Sequence, residues 1–214
     1  MAINLNKLQK GQTIVLEKKT FDLSKVTIGL GWKIREKKQG FFAKLFGGDD
    51  ESEYDLDAIA FLLDDHDKVV NLGNRLAGGD VVFFNSQKHP SGTVWSCGDN
   101  LVGGDGASDD EQIVCLLDKV PARYAKILFL VSIYEGQKRG QRFGEVDGAY
   151  IRAVDARGKE IARYELGNEP GAAEAQSVIF AELYRHGDDW KFRAIGTPRR
   201  TVSFVDILQD YIVR

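Results

Sequence analysis

The segment Ala149-Tyr150-Ile151-Arg152-Ala153-Val154, Asp155-Ala156-Arg157-Gly158, Lys159-Glu160, Ile161-Ala162-Arg163-Tyr164-Glu165-Leu166 decides the fold class. Two β-prone runs flank a turn, and Gly158 supplies the positive φ that closes a hairpin. The same grammar recurs at Ser177 to Tyr184, His186-Gly187-Asp188-Asp189 and Trp190 to Ala194, a second hairpin. Upstream lie Thr13 to Leu16, Val26 to Leu30, Ala58 to Leu63, Val81 to Phe84, Thr93 to Cys97, Gln112 to Leu117 and Ile127 to Tyr134, the strongest run. Lys68-Val69-Val70 reads as a return strand after the polar turn Asp64 to Lys68. Short strands with turns about every ten residues predict a mainly β protein, a sandwich of two antiparallel sheets with short helices.

Two stretches break the series. Residues 35–53 hold Phe41-Phe42-Ala43-Lys44-Leu45-Phe46, then Gly47-Gly48 and acids, and read as a surface excursion. Near the C-terminus, Phe204, Ile207, Leu208, Tyr211 and Ile212 fall at helical spacing. That places an amphipathic helix which either caps the sandwich or docks a partner or second copy. The predicted organisation is therefore a sandwich domain over 1–196, with the 35–53 excursion, and a tail helix over 197–214.

The chain has 214 residues, 43% hydrophobic and 29% charged, enough for a sizeable core in one soluble domain. Its 23 glycines against four prolines indicate tight turns rather than disorder. No apolar run approaches the roughly 18–20 residues of a membrane helix, and the start lacks signal-peptide character. A cytoplasmic location without direct membrane insertion is expected. Cys97 and Cys115 lack metal-knuckle spacing and read as reduced, partly buried thiols.

The net charge is −3, but its distribution is more telling. Asp49, Asp50, Glu51, Glu53, Asp55 and Asp57 form one acidic run without a base; Asp99, Asp105, Asp109, Asp110 and Glu111 form another. Such surfaces disfavour nucleic acid and favour a hard cation. Ca²⁺ takes about six to eight oxygens, from carboxylates, amide oxygens and main-chain carbonyls. The glycine-rich loop from Gly98 to Glu111 offers all three, with Asn100 and flexible backbone around Gly103, Gly104 and Gly106. Spacing of two puts the Asp55 and Asp57 carboxylates on one face of a strand. Asn85, expected to close the Val81–Phe84 strand, adds an amide oxygen. The loop is neither an EF-hand, since Leu101 stands at its third position, nor a stacked nonapeptide repeat.

These segments resemble the TerD family of tellurite-resistance and general stress proteins. The resemblance rests on Gly29-Leu30-Gly31-Trp32, Tyr54 to Ala58, Val82 to Asn85, the Gly98–Glu111 loop, Arg139 to Gly144, Ala149 to Arg152, Glu182 to His186 and Trp190 to Ala194. It implies a Ca²⁺-binding β-sandwich without known catalytic activity. The implied ligand pool is Asp55, Asp57, Asn85, Asp99, Asn100, Gly104, Asp105, Asp109, Asp110 and Glu111. Implied partners are proteins of a cytoplasmic or membrane-associated stress-response complex, in which the chain acts as sensor or scaffold.

Other chemistries are poorly served. No nucleophile elbow or Walker loop occurs, and Gly29-x-Gly31 lacks a dinucleotide fingerprint's third glycine. His66, His89 and His186 fall in turns and read as solvated. Lys138, Arg139 and Arg142 read as a solvated hairpin end. The alternative reading is a metal-dependent protein or enzyme for phosphoesters or nucleotides, in which these three cations assist the ion.

Overall fold

The computed structural model describes residues 7–34, 55–97, 109–165, 170–201 and 203–213. Within them lie β1 (Lys7–Leu8), β2 (Thr13–Leu16), β3 (Val26–Ile34), β4 (Leu56–Leu63), β5 (Val81–Val82) and β6 (Val94–Ser96). There follow β7 (Glu111–Cys115), β8 (Lys126–Ile133), β9 (Val146–Val154), β10 (Glu160–Glu165), β11 (Ser177–His186) and β12 (Asp189–Arg199). Two short α-helices are α1 (Gly136–Arg139) and α2 (Phe204–Leu208). The strands form two sheets, ordered β1-β10-β9-β3-β7-β6 and β2-β12-β11-β8-β4-β5. Among the described strands, every strand pairing is antiparallel except β1 against β10. The predicted sandwich is the observed fold.

Both predicted hairpins form. In the first, Gly158 adopts φ +81°, and the buried Asp155 carboxylate accepts backbone N–H groups from Lys159 at 2.9 Å and Arg157 at 3.0 Å. It also accepts from the N–H of Asp22 at 3.2 Å, which ties the hairpin to the segment before β3. In the second, β11 and β12 pair from Ser177↔Arg199 to His186↔Asp189.

Alternation puts one face of each sheet into a shared core. Ile28, Leu30, Ile113, Cys115, Ile151 and Ala153 meet Ala58, Ala60, Leu62, Ile127, Phe129 and Phe180 there. Each fully buried large apolar side chain contributes about 1.5–3 kcal/mol over its exposed state. A second core covers the opposite face of the β4–β8 sheet, where Ile59, Phe61, Leu63, Leu128 and Leu130 pack under Ile207 and Leu208 of α2. From Ala58 to Leu63 strand β4 is therefore apolar on both faces, which is why that stretch reads as an unbroken hydrophobic run.

The tail thus caps its own sheet, in a helix confined to Phe204–Leu208. Ser203 Oγ caps it by accepting the Val205 N–H at 3.2 Å. Beyond the helix, Tyr211 meets the Phe61 ring edge-on with centroids 5.9 Å apart, and Ile212 bridges to Val69. That single bridge replaces the predicted Lys68–Val70 strand, because Val69 pairs with the tail rather than with a neighbouring strand.

Three further expectations are corrected. Strand β5 stops at Val82, and Asn85 sits in a tight turn closed by mutual backbone hydrogen bonds of Phe83 and Ser86. His89 is 1% exposed, because Asp80, nine residues before it, and Tyr124, distant in sequence, enclose it. Cys97 is exposed whereas Cys115 is buried in the core, so neither is partly buried.

Candidate metal centre

One end of the sandwich collects carboxylates from both sheets. Asp55 directly precedes β4, and its carbonyl accepts the Tyr134 N–H at 2.7 Å. Asp57 lies within β4 opposite Ser132 of β8. Glu111 opens β7 in the other sheet, opposite Leu30. Its Oε2 accepts the Ala58 N–H at 3.2 Å, a hydrogen bond that crosses from one sheet to the other. These three acids line a cavity of about 270 Å³ together with Ala58, Phe84, Gln87, Ser96 and Tyr134.

Among the described residues, every side-chain donor that lines the cavity is an oxygen or an amide: carboxylates, a carboxamide, a hydroxyl and a phenol. Such a set suits Ca²⁺ or Mg²⁺ and offers no thiolate or imidazole for softer metals. Glu111 is 8% exposed, so the negative charge is concentrated in partial shelter from water, where a cation is attracted more strongly than at an open surface. The residues present therefore fit the ion that the sequence implies.

The other expected ligands divide. Asp99, Asn100, Gly104 and Asp105 lie outside the described residues. The segment that carries them joins Cys97, just past the cavity-lining Ser96, to the residues that lead into Glu111. Asp110 is exposed, and its Oδ2 accepts the Trp32 N–H at 2.9 Å. Asn85 does not line the cavity, although its neighbour Phe84 does.

Asp109 is committed elsewhere. It is 3% exposed, and Oδ1 accepts from Arg152 Nε at 2.7 Å and the Tyr150 hydroxyl at 2.9 Å. Its Oδ2 accepts from Arg152 Nη2 at 3.1 Å and Gln112 Nε2 at 3.3 Å. Burial and the adjacent Asp109 charge push the Tyr150 phenol up to about 12. Asp109 thus cross-links β9 to the start of β7, and the structure does not bring it to the cavity.

Gln87, Ser96 and Tyr134 were not anticipated. Ser96 stands two residues before the acidic loop, a position that a strand-end signal marks. Tyr134 arrives through Asp55, 79 residues before it, and Gln87 through Ser96, whose N–H its carbonyl accepts at 2.8 Å.

Two more polar groups lie apart from this end. Asp80 accepts hydrogen bonds from the Tyr124 hydroxyl at 2.7 Å and the Asn71 N–H at 2.9 Å, and pairs with His89 Nε2 at 3.2 Å. Burial raises the Asp80 carboxyl, but these partners outweigh it and hold the group below the ordinary carboxylate range. Burial and the bond to Asp80 push Tyr124 up to about 12. In an exposed turn, ligand atoms of Asp64, Asp65 and His66 lie within 4.8 Å of one another. There Asp64 Oδ1 already accepts N–H groups from His66 at 2.9 Å and Lys68 at 2.8 Å, the bonds that shape the turn.

Of the three cations considered for anion binding, Lys138 and Arg139 lie on α1 and Arg142 beyond it. Arg142 pairs with Glu174 at 2.7 Å, and the Arg139 guanidinium lies 5.5 Å from the Tyr134 ring centroid.

Comparison with known proteins agrees with this reading of the fold. The chain is 51% identical over 212 residues to the tellurium resistance protein TerX of Serratia marcescens, covering 96% of this chain and 98% of that one. It is 39% identical over 213 residues to the stress response protein SCP2 of Bacillus subtilis, covering 99% and 100%. A solved structure of a homologue of the telluride resistance protein TerD from Streptomyces coelicolor superposes with a TM-score of 0.57. At 20% identity, covering 83% of this chain and 91% of that one, it shows the shared fold. The family model of the TerD domain matches residues 1–211, and the chain belongs to the TerD family.

Proposed function

We propose that this protein is a Ca²⁺-binding stress-response protein that acts as a sensor or scaffold rather than as a catalyst. The stress-response role rests on relatives named for tellurium resistance and stress response. The observation that carries the ion is the meeting of Asp55 and Asp57 from one sheet with Glu111 from the other, in a single cavity of oxygen donors. Asp55, Asp57 and Glu111 would hold the ion, and Gln87 and Ser96 would contribute neutral oxygens. Bound Ca²⁺ supplies positive charge that offsets the repulsion among the three acids. Because Glu111 is hydrogen-bonded to the β4 backbone, occupancy of the cavity bears on the seam between the sheets, which is how a sensor would report the ion.

The test is a thermal melt of EDTA-stripped protein with Ca²⁺, beside Mg²⁺, together with a calorimetric titration. Ca²⁺ at 100 times its Kd should stabilise by about 2.7 kcal/mol, a rise of several degrees. Asp57→Asn should abolish most of that rise. An unchanged melt with no heat of binding would refute the proposal.

A further inference from the structure

Next to the carboxylate cavity, and sharing Asp57, Phe84 and Tyr134 with it, lies a second and larger hollow of about 650 Å³. Its other walls include Gln137 and Lys138 from α1 and Ser203 at the N-terminal end of α2. The volume is that of a small-molecule site. Phe84 and Tyr134 are 44% and 39% exposed, although both are large and could pack. Their rings meet edge-to-face with centroids 5.9 Å apart, Phe83 meets Phe84 edge-on at 5.4 Å and the Arg139 guanidinium lies 5.5 Å from the Tyr134 centroid, so what the pair offers a further planar group is the ring surface left exposed beside these neighbours.

The lip of the hollow is built under strain. Glu135, between Tyr134 and α1, holds a left-handed conformation at φ 50°, ψ 25°, which costs a residue other than glycine free energy. Such conformations persist where the surroundings impose them, and they gather at binding sites. Here the turn sets Lys138 beside the aromatic pair, its Nζ 3.2 Å from Glu135 Oε2.

We propose that this hollow binds a nucleotide, with its base on the Phe84–Tyr134 pair and its phosphates bridged to the protein by the divalent ion held at Asp55, Asp57 and Glu111. The inference rests on the metal reading given above. Three features converge on that ligand class. Mg²⁺, which suits the same oxygen donors, is usually held by one or two carboxylates together with phosphate oxygens of the ligand, and a Ca²⁺ shell of about six to eight oxygens leaves places for phosphate beside three carboxylates. An exposed aromatic pair stacks any base. Lys138 supplies a point charge of the kind that binds phosphate. No covalent step is implied, and the ligand would be recognised intact.

The experiment titrates the full chain with Ca²⁺ alone and then, at saturating Ca²⁺, with ATP, inorganic tripolyphosphate and adenosine. ATP is expected to bind at least tenfold more tightly with Ca²⁺ than in EDTA, and more tightly than tripolyphosphate or adenosine. Tyr134→Ala should weaken ATP at least tenfold more than it weakens tripolyphosphate; Lys138→Ala should weaken both. Circular dichroism confirms that each variant is folded. Ca²⁺ binding without any ATP binding overturns the nucleotide proposal and leaves the metal reading standing. Absence of Ca²⁺ binding overturns both. Equal affinity for ATP and tripolyphosphate, untouched by Tyr134→Ala, reduces the hollow to a polyanion site and overturns the base contact.

Discussion

Gly29 and Asp109 occupy one space. A Cβ on Gly29 would stand 2.6 Å from Asp109 Oδ1 and closer still to Oδ2, so only glycine lets this carboxylate lie flat on the sheet and reach Arg152. Gly31 does the same for Tyr150, whose hydroxyl would lie 2.5 Å from a Cβ there. The Gly29-Leu30-Gly31 motif is thus a bed for an ion pair and its tyrosine.

Gly29→Ala should therefore cost about 2–4 kcal/mol of stability, by overpacking and by loosening a buried ion pair. Chemical denaturation measures it. In an Asp109→Ala background the same substitution should cost markedly less, since the two residues compete for one volume. Equal costs in both backgrounds would contradict the stated cause.

Asp155 supplies the acid-side pH dependence. Burial raises its carboxyl, but backbone N–H groups of Lys159, Asp22 and Arg157 and the Arg157 guanidinium outweigh this and hold it below the ordinary range. The unfolded chain then binds the proton more readily, so the contribution is complete above the unfolded pKa of about 4 and is lost as pH falls through the folded value. Asp155→Ala should cost about 1–3 kcal/mol at pH 7. The gap to the wild type should narrow steadily as pH falls from 5 towards 2 in urea melts.

Tyr124→Phe should cost about 1–2 kcal/mol, because Asp80 loses a donor inside the fold. The raised phenol acts on the alkaline side. Its folded pKa of about 12 exceeds the unfolded value of about 10, so its contribution is whole below pH 10 and fades as pH rises towards 12. Ultraviolet titration should show one late-ionising tyrosine fewer in the variant.

Ile207→Ala should destabilise by about 2–4 kcal/mol, since this side chain is 1% exposed against Phe61 and its neighbours. Exposed Val205 on the same helix should tolerate alanine within about 0.5 kcal/mol. Similar losses at both positions would mean that the tail is not docked as described.

The fold was legible because its evidence is local. Runs such as Ile127 to Tyr134 and turns such as Asp155 to Gly158 state strand and reversal within ten residues. The candidate site was legible in part, through Asp55-Leu56-Asp57 and Glu111. Asp109 looked equally acidic in sequence, but its fate depends on Arg152, 43 residues away and two strands over. His89 looked like a turn histidine because it is one, yet Tyr124 folds over it from beyond β7. Charge and polarity are read from neighbours in sequence, whereas saturation and burial are set by neighbours in space.

Strand β4 carries a consequence for how the chain is made. Its outward side chains Ile59, Phe61 and Leu63 are covered by Phe204, Ile207, Leu208 and Tyr211, which a ribosome adds some 140 residues later. Once β8 and β11 have joined β4, and until Phe204 to Tyr211 follow, the nascent sheet shows bare aliphatic and aromatic surface, the kind that chaperones clasp and that unfinished chains use to stick to one another. A ribosome that stalls before Phe204 would release a sandwich whose main core is complete and whose back is sticky. The segment from Phe204 to Ile212 thus closes the last bare face of this sheet.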